Sequence, residues 1–573
     1  MSVEIIMPKA GVAMEEGTIV SWLKNEGDVV SIGDPIIEIT TDKVNMEIEA
    51  EGNGILAVQI HGDGEVLPVF TVIGLIAEEG EDVEALRNLA KEDKQPEKEK
   101  VEETKIEEAR TSTSSNDNNN EYDIVVVGGG PGGYIAAIKA AMLGGKVAIV
   151  EEDIMGGTCL NRGCIPTKTY IKNVEVLEDI KQMSKRGIKI QVDASQDINK
   201  AVEYKNEVVK KLTSGVDYLL KSHGVEIFNC KAEVKKAKEV ILSNGKILNT
   251  KNIIIATGSK VRMLPIEGID SKLIMTSTEA LDFNEVPAEM VIIGGGVIGC
   301  EFAEIFNSRG SKVTIIEKAD KLIPMLDKEI TKSLKESFVK KGITVLVDKD
   351  IVRFKEEGNK LVVELRDETL NFDRGLYSIG RQANLNGLEN LDIELDRGAI
   401  SVNDKMETSI PSIYAVGDVN GKLMLAHSAF KMGEVAAKNA MGEDEKVNLN
   451  SVPSCVYTVP EIASVGMTEE EAKSKYDVKI GKFNFSGNGK SLAAGHSEGY
   501  IKVVADARYN EILGVHMFGH GVTEIINQAA AFKSLEIPTD EAADIIFGHP
   551  CSSEALMEAL ADVSGECLHL PKK

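Results

Sequence analysis

The 573-residue sequence is short of several features, and each shortage excludes a class of protein. Cationic residues are outnumbered, 65 Lys and Arg against 92 Asp and Glu, which leaves a net charge of −27. Such a chain is a poor non-specific nucleic-acid binder, because phosphate affinity needs clustered Lys and Arg. It is equally disfavoured on an anionic membrane surface. No uninterrupted run of 18 apolar residues occurs, so no membrane-spanning helix is expected. The opening MSVEIIMPKAGVAMEEG has an acid at position 4 and no long apolar core, and does not read as a signal peptide. Cysteine is sparse, 7 residues in all, too few for a disulfide framework. The expected setting is a reducing cytoplasm, where close cysteine pairs are more often catalytic or metal-binding than structural.

What is present is ordinary globular material, 43% hydrophobic and 27% charged, enough for about four domains. Residues 90–120 mix Lys and Glu densely, then turn into Ser, Thr and Asn, with no aromatic residue and few aliphatic ones. They cannot bury enough surface to fold alone, so 81–120 is expected to be a flexible linker. Residues 1–80 hold short strand patterns punctuated by glycine, and EGDVVSIGDPIIEI (26–39) is echoed by HGDGEVLPVFTVIGLI (61–76). Two similar halves of short strands predict a small quasi-symmetric β-sandwich. Residues 121–450 alternate strand-like and helix-like segments, which argues for α/β architecture. Residues 451–573 combine strands with helices and predict an α+β domain.

Two segments of the α/β region resemble each other: YDIVVVGGGPGGYIAAIKAAMLGGKVAIVEE (122–152) and EMVIIGGGVIGCEFAEIFNSRGSKVTIIEK (289–318). Each runs strand, Gly-rich turn, helix, strand, and closes on an acid: Gly128 leads to Glu151, Gly294 to Glu317. This is the complete dinucleotide fingerprint. Gly128 and Gly294 permit the tight turn, Gly130 and Gly296 let backbone approach a pyrophosphate at a helix N-terminus, and Gly133 and Gly299 allow close helix–strand packing. Glu151 and Glu317 would each accept hydrogen bonds from an adenosine ribose. Two such folds imply two nucleotides, and a flavin with a nicotinamide is the natural pair, because hydride passes between them.

The motif GGTCLNRGCIPTK (156–168) follows the first fold and places Cys159 and Cys164 five residues apart. On an ideal helix that spacing does not stack side chains, but a distorted first turn brings two sulfurs into bonding range. Lys168 could lower a thiolate's pKa or hydrogen-bond a flavin ring. Two buried thiols or half of a metal site remain alternatives at this point, although no further Cys/His pair lies nearby to complete a zinc shell, and no metal is expected. In the N-terminal segment, TTDKVNMEIEA (40–50) sets Lys43 between two strand patterns, at the expected tip of a hairpin.

These motifs carry a resemblance. GGTCLNRGCIPTK is similar to the redox-disulfide motif of the flavin-dependent pyridine nucleotide-disulfide oxidoreductases, TSIPSIYAVGDV (408–419) to their second flavin segment, IIIATGS (253–259) to their linking motif, SIGRQANLNGL (378–388) to the exit from their nicotinamide domain, and FGHPCSSEALMEA (547–559) to their catalytic-base motif. The resemblance spans about 450 residues, and within the family it is strongest to the enzymes that oxidise dihydrolipoamide. TDKV resembles the modification turn of lipoyl domains, with Gly27 before and Gly54 after Lys43 as that pattern has them. Asp42 and Val44 stand where biotin carriers have Met, which favours lipoate.

The resemblance implies a multidomain fold: a β-sandwich lipoyl domain (1–80), linker (81–120), an FAD-binding domain in two parts (121–264 and 389–450), an NAD-binding domain (265–388), both Rossmann-like, and a C-terminal α+β dimerisation domain (451–573). It implies FAD, NAD and covalent lipoate on Lys43 as cofactors. Cys159 would be the interchange thiol, Cys164 the flavin-facing thiol, His549 the general acid/base and Glu554 its orienting carboxylate. Asp418 would hold the ribitol chain, with Thr257, Gly258, Ala426 and Lys168 also at the flavin and Gly380 at the nicotinamide exit. Partners would be a second copy of the chain, and the lipoyl domains and acyltransferase core of a 2-oxo acid dehydrogenase complex or a glycine-cleavage carrier protein. Glu317 would favour NAD over NADP, with Lys318 and Lys321 the nearest cations. Departures from the family pattern are Phe547 where His is usual, Cys551 where Thr is usual, and Cys300 after the last fingerprint glycine. A sibling reductase acting on another disulfide or on a metal is the alternative. A mercuric reductase, however, would show a vicinal C-terminal Cys pair, and only Cys567 lies near the end. The isolated His61, His223 and His516 are expected to serve packing or solvation.

Overall fold

The computed structural model describes residues 3–7, 16–40, 45–50, 52–68, 71–77, 121–189 and 196–571. The chain divides into two compact units, 1–115 and 116–573; the linker expected over 81–120 lies outside the described residues.

The described residues of the first unit form eight short strands: β1 (Val3–Ile6), β2 (Glu16–Trp22), β3 (Val29–Val30), β4 (Pro35–Thr40), β5 (Asn45–Glu49), β6 (Gly54–Gln59), β7 (Val66–Pro68) and β8 (Val72–Ala77). They form two sheets, ordered β1-β8-β6-β3 and β5-β4-β2-β7. Each strand of one sheet corresponds to the strand four places along the chain in the other, so the halves echoed in sequence occupy equivalent positions. Apolar side chains of both sheets, among them Ile19, Ile36, Ile39, Leu56, Ile73 and Ile76, share one buried core, as sheet-on-sheet packing requires. Gly54 cannot carry a Cβ, which would lie 2.1 Å from the Ala77 carbonyl oxygen. Thr40 pairs with Asn45 across β4 and β5. Lys43 falls between them, outside the described residues.

In the second unit the first fingerprint strand, Tyr122–Val127, lies at the centre of a parallel array with Glu226–Asn229, Val147–Glu151, Ile247–Ile255 and Ile413–Ala415. The last strand comes from the far side of the sequence, so the nucleotide fold is built from two separated stretches. The second fingerprint strand, Glu289–Ile293, sits in a five-stranded parallel sheet with Ile274–Thr276, Arg374–Tyr377, Lys312–Ile316 and Thr344–Leu346. A short antiparallel pair, Ser259–Val261 with Arg381–Ala383, ties the two folds where the chain crosses between them. The two fingerprint strands at the sheet centres, buried on both faces, read as near-continuous Val and Ile runs, IVVV at 124–127 and VII at 291–293.

The last part is a five-stranded antiparallel sheet, Ser454–Val456, Glu461–Gly466, Ile512–Gly519, Tyr500–Asp506 and Val478–Asn484 in order. Helices Val522–Ser534 and Glu554–Val563 bury their apolar faces against it. One cluster joins the three parts: Tyr170 and Val174 after the cysteine motif, Phe302 and Phe306 of the second fingerprint helix, and Val456 and Phe518 of the last sheet. A fully buried Lys502 adds a polar joint. Its ammonium meets Asp327 at 3.1 Å, Glu329 at 2.9 Å and Glu469 at 2.5 Å. No helix among the described residues is long and apolar enough to cross a membrane.

Candidate active site

The two fingerprint turns are built alike. Glu151 accepts the Gly129 N–H at 2.6 Å and the Asp153 N–H at 2.9 Å. Glu317 accepts the Gly295 N–H at 2.6 Å and the Ala319 N–H at 2.7 Å. Each acid therefore already braces its own glycine turn, and each carboxylate keeps lone pairs for a ribose. A Cβ on Gly133 would strike the Gly128 carbonyl at 1.9 Å, and one on Gly299 the Gly294 carbonyl at 2.0 Å. These glycines serve packing, and Gly128 and Gly294 take the left-handed turn, φ 108° and 101°. By contrast, a Cβ on Gly130 would meet nothing nearer than 4.0 Å, and one on Gly296 nothing at all. Open space thus lies beside each 12-residue helix N-terminus, Pro131–Met142 and Val297–Ser308, where backbone amides and the helix dipole favour a pyrophosphate. The residues fit two dinucleotides.

The charges near Glu317 bear on which nucleotide the second fold accepts. Lys318 is paired with Asp350 at 3.0 Å and Lys321 donates to the Leu326 carbonyl at 3.0 Å. Both cations that follow Glu317 most closely in the sequence thus have partners of their own.

The cysteine motif is two helices, Gly157–Arg162 and Cys164–Gln182, broken at Gly163 with φ −144° and ψ −110°. A Cβ there would approach the Thr158 carbonyl to 2.9 Å. The break brings the sulfurs together: the two thiols are hydrogen-bonded to each other. Cys159 keeps its proton, its pKa pushed up by that bond and by burial. Cys164 accepts, and is lowered to about 7 by the Cys159 S–H and then by the Lys168 charge, against burial and Glu301. A protonated thiol beside a thiolate is the arrangement a dithiol–disulfide exchange needs.

Lys168 is fixed by Glu301, whose two oxygens it meets at 3.0 and 3.1 Å, and its ammonium lies 4.5 Å from the Tyr457 ring centroid. Glu301, 3% exposed, also accepts the Tyr457 N–H at 3.0 Å. It was missed in the sequence. The available signal was an acid at a core position of an apolar helix, where a buried charge demands a partner. Cys300 beside it is wholly buried with its pKa raised by burial, a packing thiol.

Asp418 lies in a short 3-10 turn, Gly417–Asn420, and accepts from Ser259 Oγ. Arg381, also missed, donates to Ser259 Oγ and its carbonyl at 2.7 Å and to Thr158 Oγ1 at 3.5 Å, so it links that turn to the residue before Cys159. Thr257 Oγ1 donates to the Asn384 carbonyl at 2.7 Å, and Asn384 N–H to the Gly258 carbonyl at 2.9 Å. Gly380 accepts from Arg262 N–H at 3.1 Å with φ 119°. Ala426 opens the helix Ala426–Ala440.

His549 Nδ1 meets Glu554 Oε1 at 2.9 Å, and the Cys551 N–H donates to Glu554 Oε2 at 2.9 Å. These bonds, Cys551 first, hold the Glu554 carboxyl below the usual carboxylate range. The His549 side chain is 79% exposed. The neighbouring charges that most shift the two thiols are Lys168 and Glu301. Beside His549, Ile546 is 96% exposed. Of the histidines read as isolated, His516 is buried on the Met467 carbonyl, His61 pairs with Glu65, and His223 caps the end of a helix.

Two dinucleotide folds, a thiol pair beside the first of them, and a separate domain carrying a His–Glu pair define a nucleotide-linked dithiol–disulfide oxidoreductase. Residues 122–433 match the pyridine nucleotide-disulphide oxidoreductase family, 452–560 the dimerisation domain of that family, and 3–85 the family described as biotin-requiring enzyme. The chain belongs to the pyridine nucleotide-disulphide oxidoreductases. Two relatives are dihydrolipoyl dehydrogenases of Bacillus subtilis, each 41% identical. They align over 448 and 460 residues, which is 77% and 76% of this chain and 98% and 97% of theirs. A dihydrolipoyl dehydrogenase of Zymomonas mobilis is 37% identical over 453 residues, 77% of this chain and 97% of its own. Among solved structures, a Cu(II) complex of an HOCl-induced flavoprotein disulfide reductase from Escherichia coli superposes with TM-score 0.71 at 28% identity, covering 78% of this chain and 100% of that one.

Proposed function

We propose that the protein is a dihydrolipoyl dehydrogenase: it oxidises dihydrolipoamide to lipoamide and reduces NAD⁺, as a homodimer whose site draws on both chains. The observation that carries this is the thiol pair, with Cys159 protonated against a thiolate-prone Cys164, set next to one of two dinucleotide folds. The 41% identity to dihydrolipoyl dehydrogenases supports dihydrolipoamide as the substrate, against 28% to a reductase of the sibling class.

In the oxidised enzyme Cys159 and Cys164 share a disulfide. His549, held by Glu554, takes the proton from one substrate thiol. The substrate thiolate attacks Cys159 Sγ, a mixed disulfide forms, and Cys164 leaves as a thiolate that Lys168 stabilises. His549 passes that proton to the Cys159 sulfur as it departs and takes the proton of the second substrate thiol, which closes on the first sulfur. Lipoamide departs and Cys159 is released as a thiol. Two electrons then rest on the Cys159–Cys164 pair. FAD, held by Gly128, Gly130, Gly133, Glu151, Thr257, Gly258, Asp418 and Ala426, supplies when bound the two-electron relay to the nicotinamide. The second fold, through Gly294, Gly296, Gly299, Glu317 and Gly380, binds NAD⁺ and orients its ring. Glu317 accepts from a free 2′-hydroxyl and repels a 2′-phosphate.

Lys43 carries the lipoate on a sandwich of its own. A flexible tether over 81–120, as the composition of that segment predicts, would reach roughly 30–35 Å and present the arm to an active site or a partner at an effective concentration of about a millimolar. The partners are the lipoyl domains and acyltransferase core of a 2-oxo acid dehydrogenase complex or a glycine-cleavage carrier, in the cytoplasm. The domain limits 1–80, 81–120, 121–264, 265–388, 389–450 and 451–573 belong to the same proposal.

The test is the purified full chain, flavin-loaded, with dihydrolipoamide and NAD⁺. NADH formation with ping-pong kinetics is expected. Flavin-loaded protein that leaves dihydrolipoamide unoxidised but reduces another disulfide would contradict it.

A further inference from the structure

We infer that Asn488, outside every recognised motif, is a positioning residue that orients the His549–Glu554 pair through the backbone of Cys551. This rests on the proposed reaction, in which that pair moves the substrate proton.

An imidazole whose side chain is 79% exposed is not fixed by packing within its own chain. It is fixed by Glu554 Oε1, and Glu554 is fixed in turn by the Cys551 N–H on its other oxygen. Whatever holds Cys551 therefore aims the ring. On its other side, Cys551 accepts through its carbonyl from Asn488 Nδ2 at 3.0 Å. Asn488 is 4% exposed. Its Oδ1 accepts from both the N–H and the hydroxyl of Ser491, each at 2.9 Å, at the start of the helix Gly489–Ala494. The amide has one workable orientation. Turned over, it would set its NH₂ against the Ser491 N–H and its oxygen against the Cys551 oxygen, donor on donor and acceptor on acceptor. A second grip lies two residues on, where Gln528 Nε2 donates to Ser553 Oγ at 3.0 Å. The loop that carries His549 is thus tied to two helices, and Asn488 holds the residue whose N–H keeps Glu554 in place.

Freed of Asn488, the Cys551 peptide can turn its N–H away from Glu554. The ring then loses its fixed acceptor. Because that N–H also holds the Glu554 carboxyl below its usual range, Glu554 would take up its proton at higher pH. Two effects should follow together: slower proton transfer from substrate, and an acid limb of the pH profile moved to higher pH.

Asn488→Asp isolates the donor. It keeps an oxygen for Ser491 and replaces the NH₂ by a second acceptor that cannot serve Cys551. Asn488→Ser is the companion, a good helix cap too short to reach the Cys551 carbonyl. In flavin-loaded enzyme, kcat/KM for dihydrolipoamide should fall about 10–100-fold in both, as a misaimed catalytic group does, with the acid limb moved to higher pH. FAD content and NADH-driven reduction of ferricyanide, which need neither His549 nor Glu554, should be unchanged. A kcat/KM within about twofold of the unmodified enzyme, an unmoved acid limb, or a parallel loss of the NADH–ferricyanide reaction would each overturn the positioning role. Failure of the unmodified enzyme to oxidise dihydrolipoamide would instead refute the reaction on which it rests.

Discussion

Replacing Cys159 by Ala should move the titration of Cys164 upward. The largest influence holding Cys164 at about 7 is the hydrogen bond from the Cys159 thiol. A hydrogen bond to a charged group contributes about 1.5–3 kcal/mol, and each pKa unit corresponds to about 1.4 kcal/mol. Its loss raises Cys164 by about 1–2 units, to roughly 8–9, with Lys168 still in place. The sign follows from the chemistry: the thiolate exists above its pKa, so a higher pKa demands a higher pH. At pH 7 the thiolate fraction falls from about a half to between a tenth and a hundredth. Ultraviolet thiolate absorbance against pH reads this directly, on reduced protein, with the variant lacking both cysteines subtracted as blank. Cys159→Ser, which keeps a hydroxyl donor, should lie between the unmodified protein and Cys159→Ala. An inflection that stays near 7 in Cys159→Ala would refute the reasoning, since Lys168 alone would then account for the lowered value.

Glu317→Ala should weaken the preference for NAD⁺ over NADP⁺, read as the ratio of kcat/KM values. Comparable values for the two nucleotides in the unmodified enzyme would sink the assignment. Lys502→Met should destabilise the second unit by about 3–5 kcal/mol, because Asp327 is left buried and charged without its cation. Denaturant unfolding measures it, and a loss below about 1 kcal/mol would place the joint among the weak ion pairs. Lys43→Arg should abolish lipoylation, seen by mass spectrometry of cells supplied with lipoate, and leave turnover of free dihydrolipoamide intact. An unmodified Lys43 under those conditions would leave the sandwich without its proposed cargo.

Much of the scaffold is legible in the sequence because each element is announced by local chemistry. The two nucleotide folds follow from glycines that only a tight turn requires, and from an acid at a fixed remove. The sandwich follows from short strands between glycines, and its internal symmetry from a visible echo. What was not legible depends on contacts distant in sequence. Lys168 stands out, but its partner Glu301 lies 133 residues away and is recognisable only once its helix is known to be buried. Arg381 sits in a recognised motif, yet its bond to Thr158 appears only when the two folds are assembled. Asn488 belongs to no pattern, and its meaning comes from a carbonyl 63 residues on. Glu151 and Glu317, read as ribose ligands, turn out to brace their own turns as well, which no spacing rule distinguishes.

The shared active site is tested most directly by mixing two inactive variants, Cys164→Ser and His549→Gln, and allowing their subunits to exchange. His549 is exposed on its own chain and sits in a different domain from the cysteine motif. Ile546, a few residues before it in the chain, is an exposed apolar side chain that a second copy would cover. A site built across two chains predicts that each heterodimer regains one intact site, with both cysteines from one subunit and His549 from the other. At equal mixing about half of the dimers are heterodimers, each with one of its two sites intact, so oxidation of dihydrolipoamide should recover to about a quarter of the unmodified rate. No recovery at any ratio, with exchange verified by mass, would contradict the two-chain site.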